Sequence, residues 1–248
     1  MPKKVLITGG GKRIGAALAK AFARNDWLLT LHVNNSLAEA MELINTLKNP
    51  GLHQVTQCDF SDQTKRREWL QTLGKFDLII CNASCYRLTG RDETETLENR
   101  QRYWQVNYHS VLELIELQYK NLPSDLPASA LIMLDCDVLT SSGGIKEFTE
   151  PPPGVDSYLA SRIALARRVP ELARNFAPHL RINAIAPGPV LPPADCTTGG
   201  MTVILDRVPM HQPVMVQDIV NTALYLAQTP SMTGNIIAVD GGMHLGVK

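Results

Sequence analysis

Short apolar runs alternate with stretches of helical spacing along the whole chain, and this alternation limits the possible folds more than any other sequence feature. Phe76–Cys81 is a fully apolar run, which is typical of a parallel strand buried on both faces. By contrast, Ile14, Leu18 and Phe22 recur at the spacing of one helix face. Repetition of these two patterns predicts a parallel sheet with helices on both faces.

The same patterns give the bounds of each predicted element. The predicted strands are Val5–Ile7, Leu28–Val33, Val55–Cys58, Phe76–Cys81, Ala130–Leu134, Arg181–Ala184 and Ile236–Val239. The predicted helices are Ile14–Ala23, Leu37–Leu47, Ser61–Leu73 with Ser61 as a candidate N-cap, Leu97–Tyr119, Ser157–Asn175 and Val216–Ala227. Right-handed crossovers then give a Rossmann-type, doubly wound α/β fold of about seven strands that binds ligands at the carboxyl ends of its strands.

Length and composition narrow the classes of function. The chain has 248 residues and shows no internal repeat or linker, so we expect one domain over residues 1–248. Its formal net charge is zero, which gives no electrostatic case for nucleic acid or a membrane surface as partner. The loops 140–156 and 187–213 are rich in glycine or proline and fall at the predicted carboxyl edge, where loops carry function.

Cysteine usage and the first residues indicate the compartment. The five cysteines lack the spacing of a zinc site, so we expect no metal, and free thiols fit a reducing environment. No stretch approaches the roughly 18 apolar residues of a membrane helix. The start of the chain does not read as a signal peptide, so we expect a cytoplasmic protein.

A glycine-rich turn joins the first predicted strand to the first helix. It reads TGGGKRIG from Thr8 to Gly15, and such a turn lets backbone amides approach a pyrophosphate at the positive end of a helix. Two cations, Lys12 and Arg13, would oppose the helix dipole unless an anion were bound there. We therefore expect cofactor contacts from Thr8, Gly9, Lys12, Arg13 and Ile14.

The end of the second strand indicates which cofactor is bound. Sites selective for NAD place a carboxylate there to accept from the ribose 2′-hydroxyl. This chain has Asn34, Asn35 and Ser36 and no acid. Amide, hydroxyl and nearby cationic groups suit a 2′-phosphate, so the sequence favours NADPH over NADH.

Markers spread along the entire chain resemble those of the short-chain dehydrogenase/reductase family. After the glycine turn they are Asp59, Asn82-Ala83-Ser84, Asn107, Tyr158 with Arg162, Pro187-Gly188 and Asp240-Gly241-Gly242. Within the family, the Lys12-Arg13 pair, the NAS triplet and the closing DGGMHL are similar to pteridine reductases and bacterial dihydromonapterin reductases.

The resemblance implies further roles for particular residues. Contacts to the cofactor are implied for Asp59, Asn82, Ala83, Ser84, Tyr158, Arg162, Pro187 and Gly188. An aromatic residue shortly after NAS stacks on the pterin in pteridine reductases, and Tyr86 stands at that spacing. Arg13 and Ser84 are the other candidate substrate contacts. The resemblance also implies a homotetramer.

The implied proton donor is Tyr158. A phenol has a pKa of about 10, and in this family a lysine one helical turn later lowers it. This chain has Arg162 in that place, which supplies the charge on a bulkier group. The resemblance implies that Asn107 continues a proton relay by holding a water near Arg162.

The position of the usual catalytic serine is ambiguous in this chain. An ungapped comparison with the family places Cys136 there, and a slip of one residue places Asp135 or Asp137. We favour Asp137, because it lies past the end of the predicted strand. Pteridine reductases have an aspartate at this position, and an acid suits protonation of a ring nitrogen.

These residues leave three functions to separate. The leading prediction is NADPH-dependent hydride transfer to a dihydropterin or related pteridine. The alternative is reduction of a carbonyl substrate such as a 3-oxoacyl thioester, by the same hydride chemistry. A second alternative is a non-catalytic NADPH-binding protein, which the arginine at position 162 supports.

Overall fold

A computed structural model of the chain describes residues 2–86, 95–122, 128–147, 156–190 and 204–246. The two loops predicted at the carboxyl edge, 140–156 and 187–213, lie partly outside these ranges. Within the described residues, no helix is both long and apolar enough to span a bilayer.

Seven strands form one sheet, and every strand pair in it is parallel. The strands are β1 Lys4–Thr8, β2 Leu28–Val33, β3 Gln54–Gln57, β4 Leu78–Cys81, β5 Ala128–Met133, β6 Leu180–Pro187 and β7 Ile236–Val239. The helices are α1 Arg13–Arg24, α2 Leu37–Asn45, α3 Gln63–Gln71, α4 Leu97–Trp104, α5 Ser110–Asn121, α6 Ser157–Phe176 and α7 Val216–Gln228. The predicted Rossmann-type fold class is confirmed.

The strand order β3-β2-β1-β4-β5-β6-β7 reverses direction between β1 and β4. The connections leaving these two strands pass to opposite sides, which opens a crevice at their carboxyl ends. Thr8 and the residues after Cys81 therefore meet at the same place, although they are far apart in sequence. This crevice positions the site.

Both faces of the central strands are buried, which explains why a strand such as β4 reads as a continuous apolar run. In β1, Leu6 packs in one apolar cluster while Val5 and Ile7 pack in the other. Successive residues of a strand point to opposite faces, so each face needs an apolar residue at every second position. Helices α1 and α7 cover the face of Val5 and Ile7.

Two local predictions need correction. Asp62, not Ser61, caps α3: its Oδ1 accepts from the amide of Lys65 at 3.1 Å, whereas the Ser61 hydroxyl donates to Asp59 at 2.7 Å. The helix predicted over Leu97–Tyr119 is α4 and α5 joined by a π-helical turn, Gln105–His109. Such turns are frequent at functional sites.

Candidate active site

The turn after β1 is packed too closely for side chains at its glycines. A Cβ on Gly15 would lie 2.0 Å from the carbonyl oxygen of Gly9, and one on Gly11 would lie 2.6 Å from the Ser36 hydroxyl. Gly9 has a φ of +65°, where a side chain is strained. Side chains do not fit at these positions, and the turn leads directly into the start of α1.

Thr8 and Asn82 hold this turn against the loop that follows β4. The Thr8 hydroxyl accepts from the amides of Asn82 and Ala83 at 2.9 and 3.0 Å. The Asn82 side chain donates to the carbonyl oxygens of Thr8 and Gly9 at 3.0 and 3.1 Å. These two predicted cofactor residues thus fix the crevice between β1 and β4.

The two cations of the turn differ in their surroundings. Lys12 forms an ion pair of 2.6 Å with Glu39 of α2, and both side chains are about half exposed. Arg13 is exposed and has a φ of 53°, in the left-handed region that favours glycine. The side chain of its neighbour Ile14 packs against the apolar cluster under α1.

A cavity of about 340 Å³ lies at the carboxyl ends of β1 to β4. It brings together half of the residues predicted to bind the cofactor: Gly9, Lys12, Asn34, Asn35, Ser36, Asp59, Ala83 and Ser84. It also includes residues that the sequence did not single out as ligands: His32, Cys58, Phe60, Cys85, Arg102 and Val106. The apolar walls and polar ends are of the kind that binds a nucleotide.

His32 forms the inner wall of this cavity. Its Nε2 lies 3.0 Å from the carbonyl oxygen of Cys58, and its ring stacks on Phe60 with centroids 3.9 Å apart. Burial lowers the pKa of His32 to about 4, so the ring is neutral near pH 7. Donation from Nε2 leaves Nδ1 as an acceptor, and this buried atom has no hydrogen-bond partner among the described residues. The orphaned atom and the glycine cradle are both consistent with a bound dinucleotide.

Tyr158 and Asp135 meet at the carboxyl end of β5. The Tyr158 hydroxyl donates to Oδ2 of Asp135 at 2.8 Å. Burial and the charge of Asp135 raise the pKa of Tyr158 well above its usual value, although Arg162 acts in the opposite direction. The expectation that a cation leaves this tyrosine with a lowered pKa is therefore wrong, and the phenol is neutral near pH 7.

Arg162 lies one turn after Tyr158 and is buried. Its Nη2 donates to the carbonyl oxygen of Met133, at the end of β5. Its Nε is buried without a hydrogen-bond partner in the described part of the chain. The guanidinium is thus anchored on the strand that carries Asp135.

The sequence favoured Asp137 for the serine position, but the hydrogen bond of Tyr158 favours Asp135, which accepts the Tyr158 hydroxyl. The other Asp135 oxygen accepts from the backbone amide of Asp137 at 2.9 Å. Cys136 is buried, its sulfur lies 3.7 Å from that of Met243, and burial raises the pKa of its thiol. The three residues lie at the start of a short 3-10 turn after β5, and their carboxylate and thiol atoms lie within 4.8 Å of one another.

Asn107 contacts the loop after β4 and Ser161, the residue before Arg162. Its Oδ1 accepts from the Cys85 amide at 2.8 Å and from the Ser84 hydroxyl at 3.2 Å. Its Nδ2 donates to the Cys85 carbonyl at 3.0 Å and to Ser161 at 3.4 Å. With these contacts Asn107 ties α6 to the loop that carries Ser84 and Tyr86.

Two aromatic rings surround Tyr158. Tyr86 meets it edge to face with centroids 5.0 Å apart, and Tyr86 is 52% exposed. Buried Tyr103 of α4 packs on it at 5.9 Å. The sequence predicted Tyr86 in the site but not Tyr103, which lies one turn before the marker Asn107.

Gly188 packs tightly at the end of β6. A Cβ there would lie 2.6 Å from the Cα of Asp240, and its amide donates to the Val239 carbonyl at 3.0 Å. Asp240 in turn holds His244 at 2.6 Å. Pro187 ends β6, so the predicted pair Pro187-Gly188 lies at the same edge of the sheet as Tyr158.

Comparisons with known proteins show which family this chain is similar to. Residues 10–244 match the family described as enoyl-(acyl carrier protein) reductase, a group of short-chain dehydrogenases/reductases. The solved structure of FolM alternative dihydrofolate reductase 1 from Brucella suis, in complex with NADP, is 28% identical with a TM-score of 0.84, covering 99% of this chain and 96% of that one.

Two curated relatives have different named activities. Glucose 1-dehydrogenase from Gluconobacter oxydans is 27% identical, over 98% of this chain and 92% of that protein. Carbonyl reductase [NADPH] 2 from Sus scrofa is 26% identical, over 96% of this chain and 95% of that protein. All of these similarities span nearly the full chain, and the protein belongs to the short-chain dehydrogenase/reductase family.

Proposed function

We propose that this protein is an NADPH-dependent reductase of a dihydropterin or a related pteridine. The observation that carries the proposal is the hydrogen bond of 2.8 Å between Tyr158 and Asp135. Ketone reduction needs one hydroxyl donor at the carbonyl oxygen, whereas a carboxyl behind the phenol supplies a proton to a ring nitrogen. The similarity to a dihydrofolate reductase supports this choice, because dihydrofolate contains a pterin ring.

Binding of NADPH is supported by the cavity at the carboxyl ends of β1 to β4. The glycine turn would hold the pyrophosphate, and Asn34, Asn35 and Ser36 would surround the 2′-phosphate. Lys12 would exchange Glu39 for that phosphate, since the existing ion pair is exposed and therefore weak. When bound, the cofactor supplies the hydride.

Tyr158 and Asp135 would deliver the proton together. Once a proton from solvent binds Asp135, the carboxyl donates to the tyrosine oxygen, and the Tyr158 hydroxyl turns from Asp135 to the substrate nitrogen. Tyr158 then gives its own proton to the nitrogen as it receives the proton of Asp135. Asp135 ends as a carboxylate, Tyr158 ends neutral, and the nitrogen gains one hydrogen. This route avoids forming a tyrosinate, which burial and the neighbouring carboxylate disfavour.

Tyr86 would hold the flat substrate next to this pair. Its exposed ring stands 5.0 Å from that of Tyr158, so a heterocycle that stacks on Tyr86 lies within reach of the donor. Stacking of this kind contributes about 1 kcal/mol. Arg13 and Ser84 remain candidate polar contacts to the substrate.

A second candidate function is reduction of a carbonyl compound, including a 3-oxoacyl thioester. The relative named carbonyl reductase and the matching family description favour it. Steady-state oxidation of NADPH should be compared with dihydrobiopterin and with an acetoacetyl thioester. The proposal is supported if the pterin is turned over at least tenfold faster than the thioester, and contradicted if the thioester is turned over faster. If neither compound is turned over, the result supports a non-catalytic NADPH-binding protein.

The family resemblance leads us to propose one NADPH-binding domain over residues 1–248, assembled as a cytoplasmic homotetramer. Exposed Tyr225 on α7 offers apolar surface to such an assembly. Sedimentation velocity at micromolar concentration tests the assembly, and a monomer would contradict it.

A further inference from the structure

Arg102 stands at the mouth of the cofactor cavity, beside Asp59. It lies in the last turn of α4, and Val106, one turn later, lines the same cavity. Its Nη2 lies 3.7 Å from Oδ2 of Asp59. The charge of Arg102 also acts to lower the pKa of Cys85, after β4, against the larger effect of burial. A cation and a carboxylate therefore stand side by side at one end of the cavity.

The carboxylate of Asp59 has one oxygen engaged inside the protein. Oδ1 accepts from the amide and the hydroxyl of Ser61, at 2.9 and 2.7 Å. Partial burial opposes ionisation, but the Ser61 hydrogen bonds and the charge of Arg102 prevail and lower the pKa of Asp59. Oδ2, next to Arg102, is thus an ionised acceptor on a carboxylate of fixed orientation.

The order of donor and acceptor here matches one nucleobase. The edge of adenine formed by N6 and N7 presents a donor next to an acceptor. Guanine and hypoxanthine present two acceptors there, O6 and N7, and an ionised carboxylate repels O6. Asp59 is already a cofactor contact that the family resemblance implies. We infer that Arg102 is a further cofactor-binding residue, which donates to N7 of adenine while Asp59 accepts from the N6 amine.

This inference rests on the proposed NADPH binding and adds a residue that selects the base. A purely structural role for Arg102 predicts a different result. Its ion pair with Asp59 is partly exposed, and exposed pairs contribute little to stability. Removing the guanidinium would then leave cofactor affinity nearly unchanged.

The test is fluorescence titration of the protein with NADPH, with its hypoxanthine analogue and with NADH, without any pterin. The unaltered protein should bind NADPH at least tenfold tighter than the hypoxanthine analogue. Arg102→Met should weaken binding of all three dinucleotides by a similar factor of about ten, because N7 is present in each. Asp59→Asn should bring the ratio between NADPH and its hypoxanthine analogue towards one, since an amide can donate to O6.

Arg67→Met is the matched control. Arg67 also forms a partly exposed ion pair of 3.7 Å, with Glu113, outside this cavity. Its substitution should leave all three affinities unchanged, and unfolding temperatures should show that every variant folds.

Three outcomes overturn the inference. An Arg102→Met protein that binds within twofold of the unaltered one makes Arg102 a structural residue. A loss confined to NADPH and its analogue moves the contact from the base to the 2′-phosphate. An unaltered protein that binds no dinucleotide refutes the cofactor proposal itself, which distinguishes that failure from failure of the role of Arg102.

Discussion

The hydroxyl of Tyr158, from α6, donates to the carboxylate of Asp135, which follows β5, at 2.8 Å. The neighbouring Arg162 is bound to the carbonyl of Met133, on the same strand. A strand and the next α-helix of the chain thus place a phenol, an acid and a cation at one edge of the sheet. The pairing gives the tyrosine a proton partner that a serine could not provide.

Substitution of Tyr158 by Phe should separate catalysis from binding. The ring and its contacts with Tyr86 and Tyr103 remain, but the donor is lost. Turnover of dihydrobiopterin should fall by about a hundredfold or more, the typical effect of a positioned acid, while the Kd for NADPH is unchanged. Near-normal turnover of this variant would remove Tyr158 from the mechanism.

The two acids after β5 should differ in importance. Asp135→Asn removes the carboxyl next to Tyr158 and should lower kcat by about a hundredfold. Asp137→Asn is the comparison variant, because it removes a carboxylate within 4.8 Å of that of Asp135 but keeps the acceptor of the Tyr158 hydroxyl. Equal losses in both variants, or the larger loss in Asp137→Asn, would argue against Asp135 as the proton partner.

Cofactor preference should depend on the residues after β2. We expect NADPH to bind at least tenfold tighter than NADH, which corresponds to about 1.4 kcal/mol. Asn35→Asp should narrow this difference, since a carboxylate at the cavity repels a 2′-phosphate. Asn45→Asp, on the exposed surface of α2, adds the same charge elsewhere and should leave the ratio unchanged. Equal Kd values for NADPH and NADH in the unaltered protein would contradict the prediction.

Arg162 should act through its charge. It lowers the pKa of Tyr158 against the larger effects of burial and Asp135, so its loss raises that pKa further. Arg162→Met should weaken NADPH binding and move the alkaline limb of the pH–rate profile upward, because the phenol then keeps its proton to higher pH. Arg162→Lys should preserve or raise activity. An Arg162→Met enzyme with an unchanged profile and unchanged affinity would favour the non-catalytic alternative.

His32 should make the protein less stable in mild acid. Burial holds the folded pKa near 4, below the usual 6.5, so between these values the unfolded chain binds a proton that the folded chain does not. The contribution of His32 to the free energy of unfolding is complete above pH 6.5 and declines as the pH falls. At roughly pH 5 it is lower by about 2 kcal/mol. The free energy of unfolding without cofactor should show this slope. His32→Gln, which keeps a donor for the Cys58 carbonyl, should reduce the slope, and an identical slope would contradict the burial argument.

The amino-acid pattern alone determined the order of strands and helices and the glycine turn. These follow from local rules: buried parallel strands need continuous apolar runs, and a close approach of backbones needs glycine. β2 has the predicted bounds Leu28–Val33, and β7 has the predicted bounds Ile236–Val239. The strand ends then indicated which residues meet in the cavity, because parallel strands present their carboxyl ends at one edge.

Only the tertiary structure decided the partner of Tyr158 and the direction of its pKa shift. Asp135, Cys136 and Asp137 follow β5 at the start of a 3-10 turn. No spacing rule in the sequence says which of these three side chains faces Tyr158 of α6. The pKa depends on burial and on the carboxylate together, and both arise from packing between α6 and β5. Arg102 likewise became a candidate ligand only where α4 meets the end of β3. Contacts of this kind join distant segments, and their energies depend on distances that the order of residues does not contain.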